Sequence, residues 1–227
     1  HKIIIMITLY HLPLSAESRI ARLILLEKNI SFSLQVELTW ERRNEFLALN
    51  PACTVPVAVD ENNNIFVGVY VLAEYLEDIS DKMLLIGEEP LERSEVRRLS
   101  EWFRINFYNE VGKNIIYEKI FKKLEGKGGP SPSSLRAGRT NIKSHLSYIE
   151  WLVGRRDWLA GRYISLADLT AAAYLSCIDY LNEVPWKDYP LAREWYARMK
   201  SRPSFRPLLN DFLPGVPPPL HYTDLDF

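Results

Sequence analysis

Strand-like and helix-like segments alternate in this chain as far as residue 79, and beyond that point the strand signal disappears. Met6-Ile7-Thr8-Leu9-Tyr10 is short and β-rich. Residues 18–28 carry Ile20, Leu23 and Ile24, flanked by Ala21 and Leu25, on one helical face, with Arg19, Arg22 and Glu27 outside it. Residues 33–37 alternate again, and residues 41–49 read as helix. Residues 57–59 and 65–67 flank Glu61-Asn62-Asn63-Asn64 as strand, turn, strand, and residues 71–79 follow as a third helix. The order β-α-β-α-β-β-α predicts an α/β domain over residues 6–79. Its strand–helix–strand opening requires a right-handed parallel crossover, and its closing hairpin adds an antiparallel pair.

Residues 80–90 read as a linker, polar at its ends, with Met83, Leu84, Leu85 and Ile86 as one apolar patch before Gly87 and Pro90. Helical patterns then cover residues 91–124, 134–153, 165–182, 189–201 and 203–209. In the first, Leu99, Trp102, Phe103 and Phe107 fall at helical spacing; in the second, Ile142, Leu146, Ile149 and Val153 do. The expectation is an all-α domain over residues 91–209, with these stripes as its core. Ser165-Leu166-Ala167-Asp168 places a hydroxyl at the N-cap and a carboxylate three residues on, a capping box, with Ile164 and Leu169 placed as a hydrophobic staple. Loss of Ser165 is expected to cost about 0.5–2 kcal/mol.

Composition excludes several classes. Net charge is −1, from 28 basic and 29 acidic residues, so no general phosphate-binding surface, and no nucleic-acid partner, is expected. No apolar run approaches the roughly 18 residues of a membrane span. No charged segment, apolar core and small-residue cleavage site open the chain, and residues 1–5 receive no functional weight. Cys53 and Cys177 have no metal spacing and form no disulfide framework, the usage of a reduced cytoplasmic protein. No Walker loop, zinc spacing or dinucleotide fingerprint occurs. Gly126, Gly128 and Gly129, beside Pro130 and Pro132, read as a surface loop.

Asn50-Pro51-Ala52-Cys53-Thr54-Val55-Pro56-Val57 resembles the signature that precedes the third strand of glutathione transferases. With Glu74-Tyr75-Leu76, Leu85-Ile86 near Arg93, Ser165 to Asp168, Tyr189-Pro190, Trp195 and Arg202-Pro203, the resemblance to that superfamily covers residues 6–209. It implies a thioredoxin-like domain followed by a helical bundle. It also implies a cis Val55–Pro56 bond that turns the Val55 backbone toward the cysteinyl part of glutathione, as an added strand would pair. Pro56 as an ordinary strand start is the plainer reading. Ser15 stands at the family's thiolate-stabilising position, seven residues before Arg22; Ser15 is equally a suitable N-cap residue. The γ-glutamyl end is held in the family by Glu or Gln and then Ser or Thr, six and five residues before the Glu matching Glu74; here those positions are Gly68 and Val69. Each hydrogen bond to a charged group lost there removes about 1.5–3 kcal/mol. The groove residues Val55, Pro56, Gly68 and Val69 are therefore expected to bind glutathione weakly, if at all. No other cofactor and no metal is implied.

The tail, residues 210–227, contains Pro217-Pro218-Pro219, which forbids a helix and favours polyproline II. It reads either as a strap on the chain's own helical domain or as a docking peptide for another protein. Together with Gly68 and Val69 it resembles an alphaproteobacterial branch of transferase-like division proteins that bind the tubulin homologue FtsZ. That resemblance implies a cytoplasmic, dimeric, non-catalytic protein that curves FtsZ filaments and promotes constriction. The partner residues it implies are Ser18, Arg19 and Arg22, and in the tail Leu220, His221, Tyr222, Asp224, Leu225, Asp226 and Phe227. The alternative is a working transferase that conjugates glutathione to electrophiles, or isomerises a substrate through a thiol adduct, with Ser15 stabilising the thiolate.

Overall fold

The structure, a computed structural model, describes residues 5–80 and 83–227. Residues 1–4 and 81–82 lie outside it, including most of the weightless 1–5 segment and part of the expected 80–90 linker. The chain forms two compact units, 1–85 and 86–227.

In the first unit, β1 (Met6–His11), α1 (Ala16–Glu27), β2 (Ser31–Val36), α2 (Asn44–Leu49), β3 (Val57–Asp60), β4 (Ile65–Val67) and α3 (Val69–Ile79) follow in order. The sheet runs β2-β1-β3-β4, with β1 parallel to β2 and antiparallel to β3, and β3 antiparallel to β4. The parallel β1–β2 pair and the antiparallel β3–β4 hairpin are those the alternation predicts, and the arrangement is thioredoxin-like. Ile7, Leu9, Ile20, Leu23, Ile24, Leu72 and Leu76 form its buried core.

One expected element divides. Residues 41–49 are not one helix: a single 3-10 turn, Thr39–Glu41, ends at Arg42, whose φ of 50° stops it, and α2 begins two residues later. Glu37, whose side chain is fully buried, fixes the break by taking both the Nε (3.2 Å) and the Nη2 (2.6 Å) of Arg43.

The second unit is helical. It comprises α4 (Pro90–Glu101), a π-wound stretch (Trp102–Phe121), α5 (Lys122–Leu124), α6 (Pro132–Val153), α7 (Leu166–Tyr180), α8 (Pro190–Lys200) and α9 (Arg206–Leu209). The helical pattern over 91–124 is thus real, but its winding changes at Trp102. Its buried face carries Phe103, Phe107, Val111, Ile115, Ile116 and Ile120. On α6, Gly138 meets this stretch so closely that a Cβ would stand 2.6 Å from Ile115 Cγ1. All of α7 is buried, from Leu166 to Tyr180, which makes it the central helix of the unit. The capping box is formed as the sequence predicts: Ser165 Oγ accepts from Ala167 N at 3.2 Å, and Asp168 accepts from Ser165 N at 3.0 Å.

His145 of α6 is buried and has one clear tautomer. Its Nδ1 accepts from Trp102 Nε1 at 3.2 Å, so its Nε2 carries the proton and donates to Glu110 at 2.8 Å. Burial lowers its pKa below the ordinary histidine value, and Glu110 only partly opposes this. A depressed histidine binds fewer protons in the folded chain than in the unfolded one. Its stabilising contribution is therefore full above the ordinary imidazole range and is lost as pH falls through it. Thermal unfolding followed at neutral and at mildly acidic pH should show that loss in the wild type and a smaller one in His145→Gln. An equal loss in both would refute the assignment.

Among the described residues, no helix is long and apolar enough to cross a membrane, and no group of histidine, cysteine and carboxylate side chains is placed to hold a metal ion.

Candidate functional site

The Asn50–Val57 tract is built by one side chain. Buried Asn50 donates through Nδ2 to the Thr54 carbonyl (2.9 Å) and hydroxyl (3.0 Å), and accepts from Ala52 N (3.1 Å). Cys53 takes a left-handed φ of 54° inside this turn and donates through Sγ to Thr39 O, so it is a structural thiol. The turn delivers the Val55–Pro56 bond, which is cis. Val55 packs on the cluster of Phe46, Cys53 and Val57.

The structure brings the two halves of the expected groove together. Gly68 N donates to Pro56 O at 3.0 Å, which ties the start of α3 to the cis bond. Gly68 is the N-cap of α3 with φ 88°, a conformation that favours glycine, and it offers no capping side chain. Val69 follows as the first residue of α3. Its side chain is fully buried, so only its backbone is left to meet a ligand. A core position explains the valine where the family has a hydroxyl.

Ser15 caps α1: its Oγ accepts from Ser18 N at 3.3 Å, and its carbonyl from Arg19 N at 2.9 Å. Ser18, Arg19 and Arg22, expected to meet a partner, lie inside the unit. All three are buried, with Ser18 Oγ taken by Leu12 N at 3.1 Å. Residues 18–25 of α1 are covered around the whole circumference, so its arginines are interior groups.

The tail forms a strap on the helical unit. Gly215 (φ 81°) and an isolated bridge between Leu213 and Val216 turn it, Tyr180 Oη donates to Val216 O at 2.6 Å, and Leu220–Tyr222 form a 3-10 turn. Three of the expected partner residues face inward. Tyr222 is fully buried, edge-on to Tyr180. His221 Nε2 meets the buried Asp179 Oδ1 at 3.0 Å. The Phe227 ring stands edge-on to Trp186 and Tyr196 and stacks on His221. Leu225 is half-buried, while Asp224 and Asp226 are exposed and Leu220 is 97% exposed. Aromatic rings in a proline-rich tail signal anchoring as readily as docking, and the groups that decide between them, Asp179, Tyr180, Trp186 and Tyr196, lie elsewhere in the chain. Sequence reading missed Asp179 and Lys200, two charges hidden in otherwise ordinary helices.

Comparison with known proteins agrees with this geometry. Residues 14–79 match the model of the glutathione S-transferase N-terminal domain, and residues 130–203 that of the C-terminal domain. The chain is 46% identical to "FtsZ-localized protein A" of Caulobacter vibrioides (strain NA1000 / CB15N) over 97% of this chain and 98% of that protein. A solved structure described as a glutathione S-transferase from Rhodospirillum rubrum F11 superposes with a TM-score of 0.95 at 45% identity, covering 98% of this chain and 100% of that one. The structure described as FzlA from C. crescentus gives 0.94 at 45%, covering 98% and 100%. The chain belongs to the glutathione S-transferase superfamily, in the branch that includes FtsZ-localized protein A.

Proposed function

We propose that this protein is a transferase-fold binding protein that attaches, as a homodimer, to FtsZ filaments, raises their curvature and promotes constriction, without turning over glutathione. The observation that carries this reading is the 46% identity, over 97% of the chain, to a protein named for its localisation with FtsZ. The start of α3 supports it. Gly68 has no side chain and that of Val69 is in the core, so the charged end of glutathione would meet backbone groups alone. Two missing charge-assisted hydrogen bonds weaken binding by roughly 10²–10⁴.

Within the strap, Leu220, Asp224 and Asp226 make the filament contact, while His221, Tyr222 and Phe227 hold the strap in place. An exposed leucine on a pre-ordered segment loses little entropy on binding and gains its burial. In co-sedimentation with polymerised FtsZ, Leu220→Asp should weaken pelleting by about tenfold or more, as loss of a central apolar contact does. Pelleting unchanged by the substitution would remove Leu220 from the contact, and a wild-type chain that stays in the supernatant would overturn the reading.

The retained hydroxyl of Ser15 at the head of α1 favours a second reading, glutathione transfer. Calorimetry separates the two. Binding of glutathione weaker than about 1 mM is expected, and sub-millimolar binding would return the protein to the enzymes.

A further inference from the structure

Lys200, at the end of α8, is a fully buried lysine, and its charge meets a carbonyl and a ring of the strap. Its ammonium donates to His221 O at 2.9 Å and stands 4.0 Å from the centre of the Phe227 ring, with Tyr196 of its own helix 5.8 Å away. No carboxylate of the described residues comes within ion-pair distance. Asp179 of α7 and Asp224 of the strap attract it through space only. Asp179 Oδ1 is occupied by Trp186 Nε1 (2.8 Å) and His221, and its Oδ2 is buried with no hydrogen-bond partner among the described residues. Arg193 of α8 adds a second cation over the same Phe227 ring, at 5.1 Å. Two open clefts, of about 690 and 620 Å³, are both lined by Arg193 and Phe227. Lys200 is thus one of several groups on which the strap rests, beside Tyr180, Asp179 and the rings of Trp186 and Tyr196.

Docking strips water from that ammonium and returns one carbonyl and one ring face. A released strap leaves it to water, which solvates it fully. We propose that Lys200 sets how firmly the strap is docked: its positive charge keeps the strap releasable, and loss of that charge locks the strap down. Lys200 is then a positioning residue for the surface that carries Leu220. The use of that surface rests on the filament reading above; the latch itself does not.

The direction with pH follows. Burial pulls Lys200 down to about 8, against the pull of Asp179 and Asp224. Between that value and the ordinary lysine range near 10, the docked strap binds fewer protons than the released one, so docking tightens as pH rises through the window.

Hydrogen exchange of the full chain, read by mass spectrometry on segment 213–227 and corrected for intrinsic rates, tests this. Wild-type protection should rise about tenfold from about pH 7.5 to 9.5, a span above the ordinary imidazole range. Lys200→Met keeps the length of the side chain without the charge; its strap should already be highly protected at the lower pH and change little. Lys200→Arg stays charged throughout and should show no rise. A flat wild-type profile, a Lys200→Met strap looser than the wild type at the lower pH, or a rise retained in Lys200→Arg would overturn the latch. Should Lys200→Met fail to fold, wild type against Lys200→Arg decides. FtsZ co-sedimentation of Lys200→Met is a separate readout. Stronger strap protection without stronger pelleting would leave the latch standing and count against the filament contact.

Discussion

Asp168→Ala is expected to destabilise the helical unit by about 3–5 kcal/mol, the range for stripping one partner from a buried charged network. The carboxylate is fully buried and accepts four hydrogen bonds. Oδ1 takes Leu159 N (3.0 Å) and Trp195 Nε1 (2.9 Å), and Oδ2 takes Ser165 N (3.0 Å) and Ser165 Oγ (3.4 Å). One side chain therefore caps α7, fixes the loop before it and anchors α8 through Trp195. Alanine leaves several buried donors without an acceptor, and each carries its own desolvation penalty. Asp168→Asn keeps the shape but turns an amide donor toward one pair of them, so it should recover only part of the loss. Burial lifts the carboxyl to about 6, with the four donors holding it down against that trend. The folded chain thus holds this proton more tightly than the unfolded one. The wild type gains from it as pH falls from neutral through 6 toward the ordinary carboxylate range, and the gap to Asp168→Asn should widen. Urea unfolding at two pH values measures both effects. A variant within about 1 kcal/mol of the wild type would show that water replaces the carboxylate.

Lys28→Met should cost the first unit a similar amount, about 3–5 kcal/mol. Lys28 Nζ lies 2.8 Å from Glu77 Oε2, with side-chain exposures of 0% and 2%. The ammonium also donates to Met83 O at 3.1 Å, and Glu77 accepts from Leu85 N at 3.1 Å. The pair joins the end of α1 to α3 and ties down the chain that follows α3. Removing the lysine leaves a buried carboxylate without its counter-ion, whereas removing both charges does not. The double variant Lys28→Met with Glu77→Leu should regain most of the stability. Equal losses in the single and double variants would show that the ion pair is not the source.

The fold was legible where local chemistry and packing point the same way. The strands of the first unit, the capping box at Ser165 and the long helices all follow from periodicity and caps. Prolines and glycines marked their ends. The misplacements share one cause: burial by distant chain is invisible to a local pattern. Arg19 and Arg22 sit opposite the apolar stripe of α1 and read as outward, yet they are interior. The helix over 41–49 breaks because Glu37, outside the window, captures Arg43. Gly68 and Val69 were found by counting from Glu74, but that Val69 enters the core could not be read from its neighbours. The strap shows the same limit. Its aromatic residues were visible, while the pocket that takes them, Asp179, Trp186, Tyr196 and Lys200, is assembled from three separate segments.

The contact at Gly138 constrains how this sequence can drift. With Ile115 Cγ1 only 2.6 Å from where a β-carbon would stand, and Asn114 Cβ at 3.1 Å, even alanine at 138 collides with the neighbouring helix. Ile115 is fully buried and has nowhere to retreat. A side chain at 138 therefore calls for a smaller one at 115, so the size of each position limits the size of the other.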